Sequence, residues 1–172
     1  MSKLFNLQNK NVLLTGASKG MGLAMAKGLV SHGANVVISS RKLDQCEKAT
    51  DVINESVGQE KAFAFACNAS SKDELNALVD FSMSKLGSIT TLVCNAGVNS
   101  FFGSMSEIDD ESYDKTMDTN VKSNHWLINM VTPSMKESGG GSIMITSSIA
   151  AFHASETLGT YSISKLAGVG LV

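Results

Sequence analysis

Apolar residues run along this chain in two rhythms. Short, nearly unbroken runs at 11–15, 34–39, 61–67, 89–94 and 142–146 are built from Val, Leu, Ile, Phe, Ala and Cys. Runs of that length without polar alternation predict strands buried on both faces. The longer stretches between them repeat their apolar residues every three or four positions, as helices do. Leu23, Ala24, Ala26, Leu29 and Val30 mark the first helix, which closes near His32-Gly33. The second covers about 43–56. A third follows Ser71, whose side chain can cap it, with Asp73 and Glu74 in the first turn. The fourth, about 111–136, is long and ends at Gly139-Gly140-Gly141. A last helix follows a loop at 149–159. Strands and helices in strict alternation predict the α/β class, as a single domain over 1–172 in which a doubly wound parallel sheet carries helices on both faces.

Sheets of this kind bind ligands at the carboxyl ends of their strands. The first strand runs into Gly16-Ala17-Ser18-Lys19-Gly20-Met21-Gly22 and then directly into a helix. Glycines there let backbone approach a phosphate closely, and the helix N-terminus favours its charge. The order Thr-Gly, three residues, Gly-x-Gly differs from the common Rossmann glycine spacing. At the end of the second strand, where an unphosphorylated dinucleotide would meet a carboxylate, the chain reads Ser40-Arg41-Lys42. Arg41 can grip a phosphate with two bonds, and Lys19 can reach the same group. A ribose 2′-phosphate is the matching ligand, so the cofactor expected is NADP(H). Asn68 ends the third strand beside an adenine ring, Asn95-Ala96-Gly97 ends the fourth, and Ser147-Ser148 the fifth.

Tyr161 and Lys165 stand four positions apart in the last helix, one turn from each other on one face. A phenol titrates near ~10 and is a poor proton carrier at neutral pH. A fixed ammonium one turn away favours the phenolate and fits the pair for moving a proton to or from a substrate oxygen. His125, on the long fourth helix, reads as a surface histidine. Asn120 on the same helix is locally unfavourable and reads from sequence alone as solvent-facing.

Composition narrows the setting. The 172 residues are 43% hydrophobic and 17% charged, with a net charge of −2. That balance argues against nucleic acid or an anionic membrane as partner. Cys46, Cys67 and Cys94 are widely spaced and odd in number, which suits buried free thiols. The N-terminus has no long apolar segment, so a cytoplasmic protein is the expectation. One proline and 15 glycines point to regular elements punctuated by glycine turns.

Taken together these motifs resemble the short-chain dehydrogenase/reductase family over essentially the whole chain. Thr15 to Gly22 looks like its cofactor loop, and Cys94-Asn95-Ala96-Gly97 is similar to its Asn-Asn-Ala-Gly motif. Asn120 matches the family's helix asparagine. Ser148, 13 positions before Tyr161, matches its strand-end serine. Tyr161 and Lys165 match its Tyr-x-x-x-Lys signature. The resemblance implies a catalytic set of Asn120, Ser148, Tyr161 and Lys165, with Asn120 positioning a water that links Lys165 to solvent. It implies a cofactor site of Gly16, Ser18, Lys19, Gly20, Met21, Ser40, Arg41, Asn68, Ala69, Asn95, Ala96 and Gly97, joined by Tyr161 and Lys165. The activity implied is reversible hydride transfer between NADP(H) and a small-molecule carbonyl or alcohol, such as a ketone, an aldehyde or a 3-oxoacyl compound. The residues at 98–102 and 150–158 are largely apolar, which suits a neutral substrate. Family members usually pair as dimers or tetramers through the helices of Asn120 and Tyr161. They also continue past the Tyr161 helix with further strands, a Pro-Gly element and covering helices. A C-terminally incomplete sheet with one open edge is therefore expected. A dinucleotide-binding chain without catalysis is the alternative function. An S-adenosylmethionine methyltransferase would want an acid where Ser40-Arg41 stands.

Overall fold

The computed structural model describes residues 5–153 and 155–172. Ala154, within the loop expected at 149–159, lies outside them. Five strands, β1 (Asn11–Thr15), β2 (Asn35–Ser40), β3 (Ala62–Ala66), β4 (Thr91–Cys94) and β5 (Ser142–Ile145), form one sheet in the order β3-β2-β1-β4-β5. Every pairing is parallel.

Successive residues of a strand face opposite sides, and both sides are covered. Val12, Leu14, Val36 and Ile38 pack under α1 (Gly20–Ser31) and α2 (Leu43–Val57), against Ala26, Val30, Cys46, Ala49 and Ile53. Leu13, Val37 and Leu92 pack under α3 (Lys72–Leu86) and α5 (Ser123–Glu137), against Leu75, Leu78, Leu127 and Val131. This is the doubly wound arrangement. Each fully buried Leu or Ile contributes about 1.5–3 kcal/mol, so the central strands anchor whatever is built on their ends.

Helix starts differ in a way that matters for the site. Ser71 Oγ accepts from Glu74 N and caps α3, as the sequence predicts. Asp109 Oδ1 accepts from Ser112 N at 2.7 Å and caps α4 (Asp110–Met117). Neither α1 nor α2 has a side-chain cap.

The long fourth helix runs from Asp110 to Glu137, but not as one α-helix. A π-helical turn at Asp118–Lys122 separates α4 from α5, and Ser123 N reaches back five residues to Asp118 O. Side chains meet the carbonyls that the wider turn releases: Ser123 Oγ donates to Thr119 O at 2.6 Å and Asn124 Nδ2 to Asn120 O at 2.8 Å.

Among the described residues β5 pairs only with β4, leaving one sheet edge open. Beside it α6 (Gly159–Val169) exposes Ile163 and Leu166, and β5 itself exposes Met144. No helix among the described residues is long and apolar enough to cross a membrane.

Candidate active site

The strand order reverses between β1 and β4, and the turns leaving these two strands lie side by side. Gly16 has φ +65°, and a Cβ there would come within 2.8 Å of Ala96 Cα. Only glycine allows both that backbone and that approach. Thr15 Oγ1 accepts from both Asn95 N and Ala96 N at 3.1 Å. Asn95 Nδ2 returns bonds to Thr15 O and Gly16 O at 3.1 and 2.9 Å. Thr146, just past β5, donates from Oγ1 to Asn95 Oδ1 at 3.2 Å. One asparagine thus ties three strand ends together.

Over these ends lies a cavity of about 1030 Å³, large for a small-molecule site. Gly16, Ser18 and Lys19 line it from the first turn, Ser40, Arg41 and Lys42 from the second, and Asn68 and Ala69 from the third. Asn95, Ala96 and Gly97 complete its floor. Lys19, Arg41 and Lys42 make its strand-end rim cationic, whereas α4 and the π turn contribute Glu111, Asp114 and Asp118 elsewhere on the wall. Gly20, with φ +58°, opens α1. Because α1 lacks a side-chain cap and first-turn acids, its first N–H groups suit an anion. Asn68 Oδ1 accepts from Ser70 N at 3.2 Å, which leaves its Nδ2 as the atom for a ligand. A glycine-floored cradle with cations on one rim and an uncapped helix behind it fits the phosphates of a dinucleotide.

A smaller cavity of about 260 Å³ lies beside the first, sharing Asn95, Gly97 and Val98 with it. Met21, Asn99, Thr146, Ser147, Tyr161 and Lys165 complete its lining. The Lys165 side chain is buried, donates from Nζ to Thr146 O at 2.8 Å and lies 5.6 Å from the centre of the Tyr161 ring. Burial holds its ammonium below the ordinary lysine value. A Cβ on Gly97 would sit 3.1 Å from that Nζ and 3.4 Å from Asn120 Oδ1.

The two serines after β5 differ in their bonds. Ser147 Oγ donates to Lys165 O at 3.0 Å and staples α6 to the sheet. Ser148 Oγ accepts from Ala150 N at 3.2 Å, capping the 3-10 turn Ile149–Ala151, and so keeps its own hydrogen for a further partner. Ser148 is not part of the smaller cavity's wall; Ser147 is.

Asn120 does not face solvent. It is 2% exposed, and its side chain bonds Val98 N and Val98 O, both at 2.8 Å, and Ser164 Oγ at 2.9 Å. The π turn presents this residue inward, where it reaches the loop after β4 and helix α6 together. His125 is exposed, and among the described residues its side chain bonds only Asn129, one turn on.

Thr146, Ser147 and Ser164 belong to this network although the sequence did not single them out as site residues, and Thr15, read only as the start of the glycine loop, anchors the turn after β4. Ser and Thr at strand ends look like ordinary strand termini, and Ser164 gives no sign in the sequence of its bond to Asn120. Among the described residues no cluster of side chains could hold a metal ion.

A family model described as short chain dehydrogenase matches residues 10–172. The chain is 39% identical over 165 residues to dehydrogenase/reductase SDR family member 4 of Oryctolagus cuniculus, covering 96% of this chain and 63% of that protein. To the Homo sapiens protein of the same name it is 38% identical over 172 residues, covering 99% and 61%. It therefore spans about three fifths of the length of these curated relatives. Among solved structures, a 7 alpha-hydroxysteroid dehydrogenase complexed with NADH and 7-oxo glycochenodeoxycholic acid superposes with a TM-score of 0.92 at 34% identity, over 98% of this chain and 64% of that one. A metagenomic short-chain oxidoreductase in complex with NADP gives 0.89 at 30% identity, over 96% and 74%.

Proposed function

The chain belongs to the short-chain dehydrogenase/reductase family, and from that premise we propose that it is the cofactor-binding and catalytic part of an NADP(H)-dependent oxidoreductase acting on a carbonyl or alcohol. The observation that carries this reading is the adjacency of the two cavities, whose walls share Asn95, Gly97 and Val98. It puts a phosphate-suited rim and the Tyr161–Lys165 pair on either side of one shared wall, at the same end of the sheet.

NADP(H) supplies the hydride chemistry, and this chain's residues bind it and handle the proton. The first turn of α1 would hold the bridging phosphates, and Ser40 and Arg41, with Lys19, would hold the ribose phosphate. That choice of cofactor rests on Arg41 standing where an acid would select the unphosphorylated form. Asn68 and Ala69 flank the adenine. Tyr161 gives its phenolic proton to the substrate oxygen in reduction and takes it back in oxidation. Ser148 donates its remaining hydrogen to the same oxygen, where negative charge develops. Lys165 sets a positive charge beside the phenol and would help to hold the nicotinamide ribose. Asn120 fixes Val98 and α6 around them; a water relaying protons from Lys165 would share one of its engaged acceptors.

The substrate is read as neutral and apolar. Phe102, Ile149 and Phe152, all more than 60% exposed, follow shortly after the wall residues Asn99 and Ser147 in the chain, and the segment 98–106 carries no charge. Gly103 N ties that segment to the loop before α6 by donating to Thr157 O at 3.1 Å.

Binding is tested by nicotinamide fluorescence, and turnover by loss of NADPH absorbance with a panel of neutral ketones. Tyr161→Phe should abolish turnover and leave NADPH affinity within twofold. Turnover that survives this change would sink the acid/base assignment. NADPH binding with no turnover by the unaltered chain would favour a non-catalytic dinucleotide-binding role.

A further inference from the structure

The phosphate-suited rim has a buried partner beneath it. Ser40 is the last residue of β2, and Cys46 lies in the first two turns of α2. Cys46 is completely buried, and its Sγ is 3.1 Å from Ser40 Oγ. Burial pushes its thiol above the ordinary cysteine value, so it keeps its proton at neutral pH. The hydroxyl of Ser40 is the nearest polar group to that proton. The Ser40 carbonyl is 4.0 Å away and already accepts from Cys67 N at 2.8 Å.

A serine hydroxyl has one hydrogen and two lone pairs. Its other neighbour, Lys42 O, is 3.4 Å away, at the margin of a hydrogen bond. With the thiol donating into one lone pair, the hydroxyl hydrogen remains for an acceptor in the cavity. Sulfur is a poor acceptor, and a phosphate oxygen is a strong one. The polarity S–H to O–H to phosphate is therefore the favoured one once an anion is bound.

We propose that Cys46 is a positioning residue for phosphate recognition, donating its thiol hydrogen to Ser40 Oγ and aiming the Ser40 hydroxyl at the 2′-phosphate of NADP(H). The inference rests on the NADP(H) reading above. It adds a neutral, directional contact to the charged ones of Lys19 and Arg41.

The test is a set of equilibrium titrations of the chain with NADPH and with NADH, followed by nicotinamide fluorescence. Cys46→Ala should weaken NADPH binding about threefold to tenfold, as for loss of one oriented hydrogen bond, and leave NADH binding unchanged. Cys46→Ser, which restores a donor of similar size, should recover most of the loss. In a Ser40→Ala background, Cys46→Ala should cost nothing further, because the two act through one contact. Equal losses for both dinucleotides would overturn the proposal and leave Cys46 as packing for α2. So would an undiminished NADPH preference in a folded Cys46→Ala protein, with folding checked by circular dichroism. If the unaltered chain bound NADH as tightly as NADPH, the cofactor reading itself would fail, and that failure is visible before any substitution is made.

Discussion

Asn120 grips Val98 by both of its peptide groups: Nδ2 donates to Val98 O and Oδ1 accepts from Val98 N, each at 2.8 Å. A single side chain thus does for the loop after β4 what a neighbouring strand would do. The third bond, to Ser164 Oγ at 2.9 Å, carries the same grip into α6. Asn120→Ala should destabilise the protein by about 2–3 kcal/mol, because it strands buried donors and acceptors. Asn120→Asp should be no better, since its second oxygen would face Val98 O. Urea unfolding measures both; a loss under about 0.5 kcal/mol would mean that water replaces the side chain freely.

Gly97 makes room for the Lys165 ammonium and the Asn120 amide. An added Cβ would press on Lys165 Nζ and Asn120 Oδ1 at 3.1 and 3.4 Å. The flexible lysine end is the neighbour able to give way. Gly97→Ala should therefore fold, yet lower turnover by at least tenfold through a displaced ammonium. A variant that folds and retains wild-type turnover would show that the ammonium tolerates displacement.

Lys165 gives stability a pH dependence of known sign. Burial lowers its native pKa from 10.5, so between the lowered value and 10.5 the native state holds fewer protons than the unfolded chain. This group's contribution to stability consequently rises with pH across that window. Below it the buried charge is a full cost. Lys165→Met should flatten the alkaline rise and leave neutral-pH stability similar or higher, tempered by the orphaned Thr146 O. Denaturation series from pH 7 upward compare the two proteins. An identical slope for both would place the titration on another group.

The cysteines should be inert in the native protein. Cys67 and Cys94 are buried and their thiols are pushed up to about 12 by burial, which leaves almost no thiolate at neutral pH. Cys46 shares that environment. A thiol reagent should label all three only at the rate of unfolding; rapid labelling of the native chain would contradict their burial.

Much of the fold was legible because it is written in local periods. Unbroken apolar runs read as covered strands, and Gly16, Gly20 and Gly22 read as a phosphate turn from their spacing. The ends of β1 to β5 then brought Ser40, Asn68, Asn95 and Ser148 to one side of the sheet. The π turn was not legible. What sustains it is a set of bonds from Asn120 to Val98 and Ser164, 22 and 44 positions away, and local spacing carries no trace of such partners. Cys46 was hidden for the opposite reason. It occupies an apolar position of α2, where a thiol and a small hydrophobe are indistinguishable until Ser40 is seen above it.

The long-range tie between Thr15 and Asn95 also sets an order of events in folding. The two residues are 80 positions apart, so the glycine turn cannot close on its partner until β4 has docked beside β1. The first three strands can pair earlier, through short βα crossovers with little loop to close. Competence to bind a dinucleotide should accordingly appear only in the last kinetic phase of refolding, after most helical signal has returned. During synthesis the turn at Gly16 must wait, exposed, for the second half of the sheet to emerge.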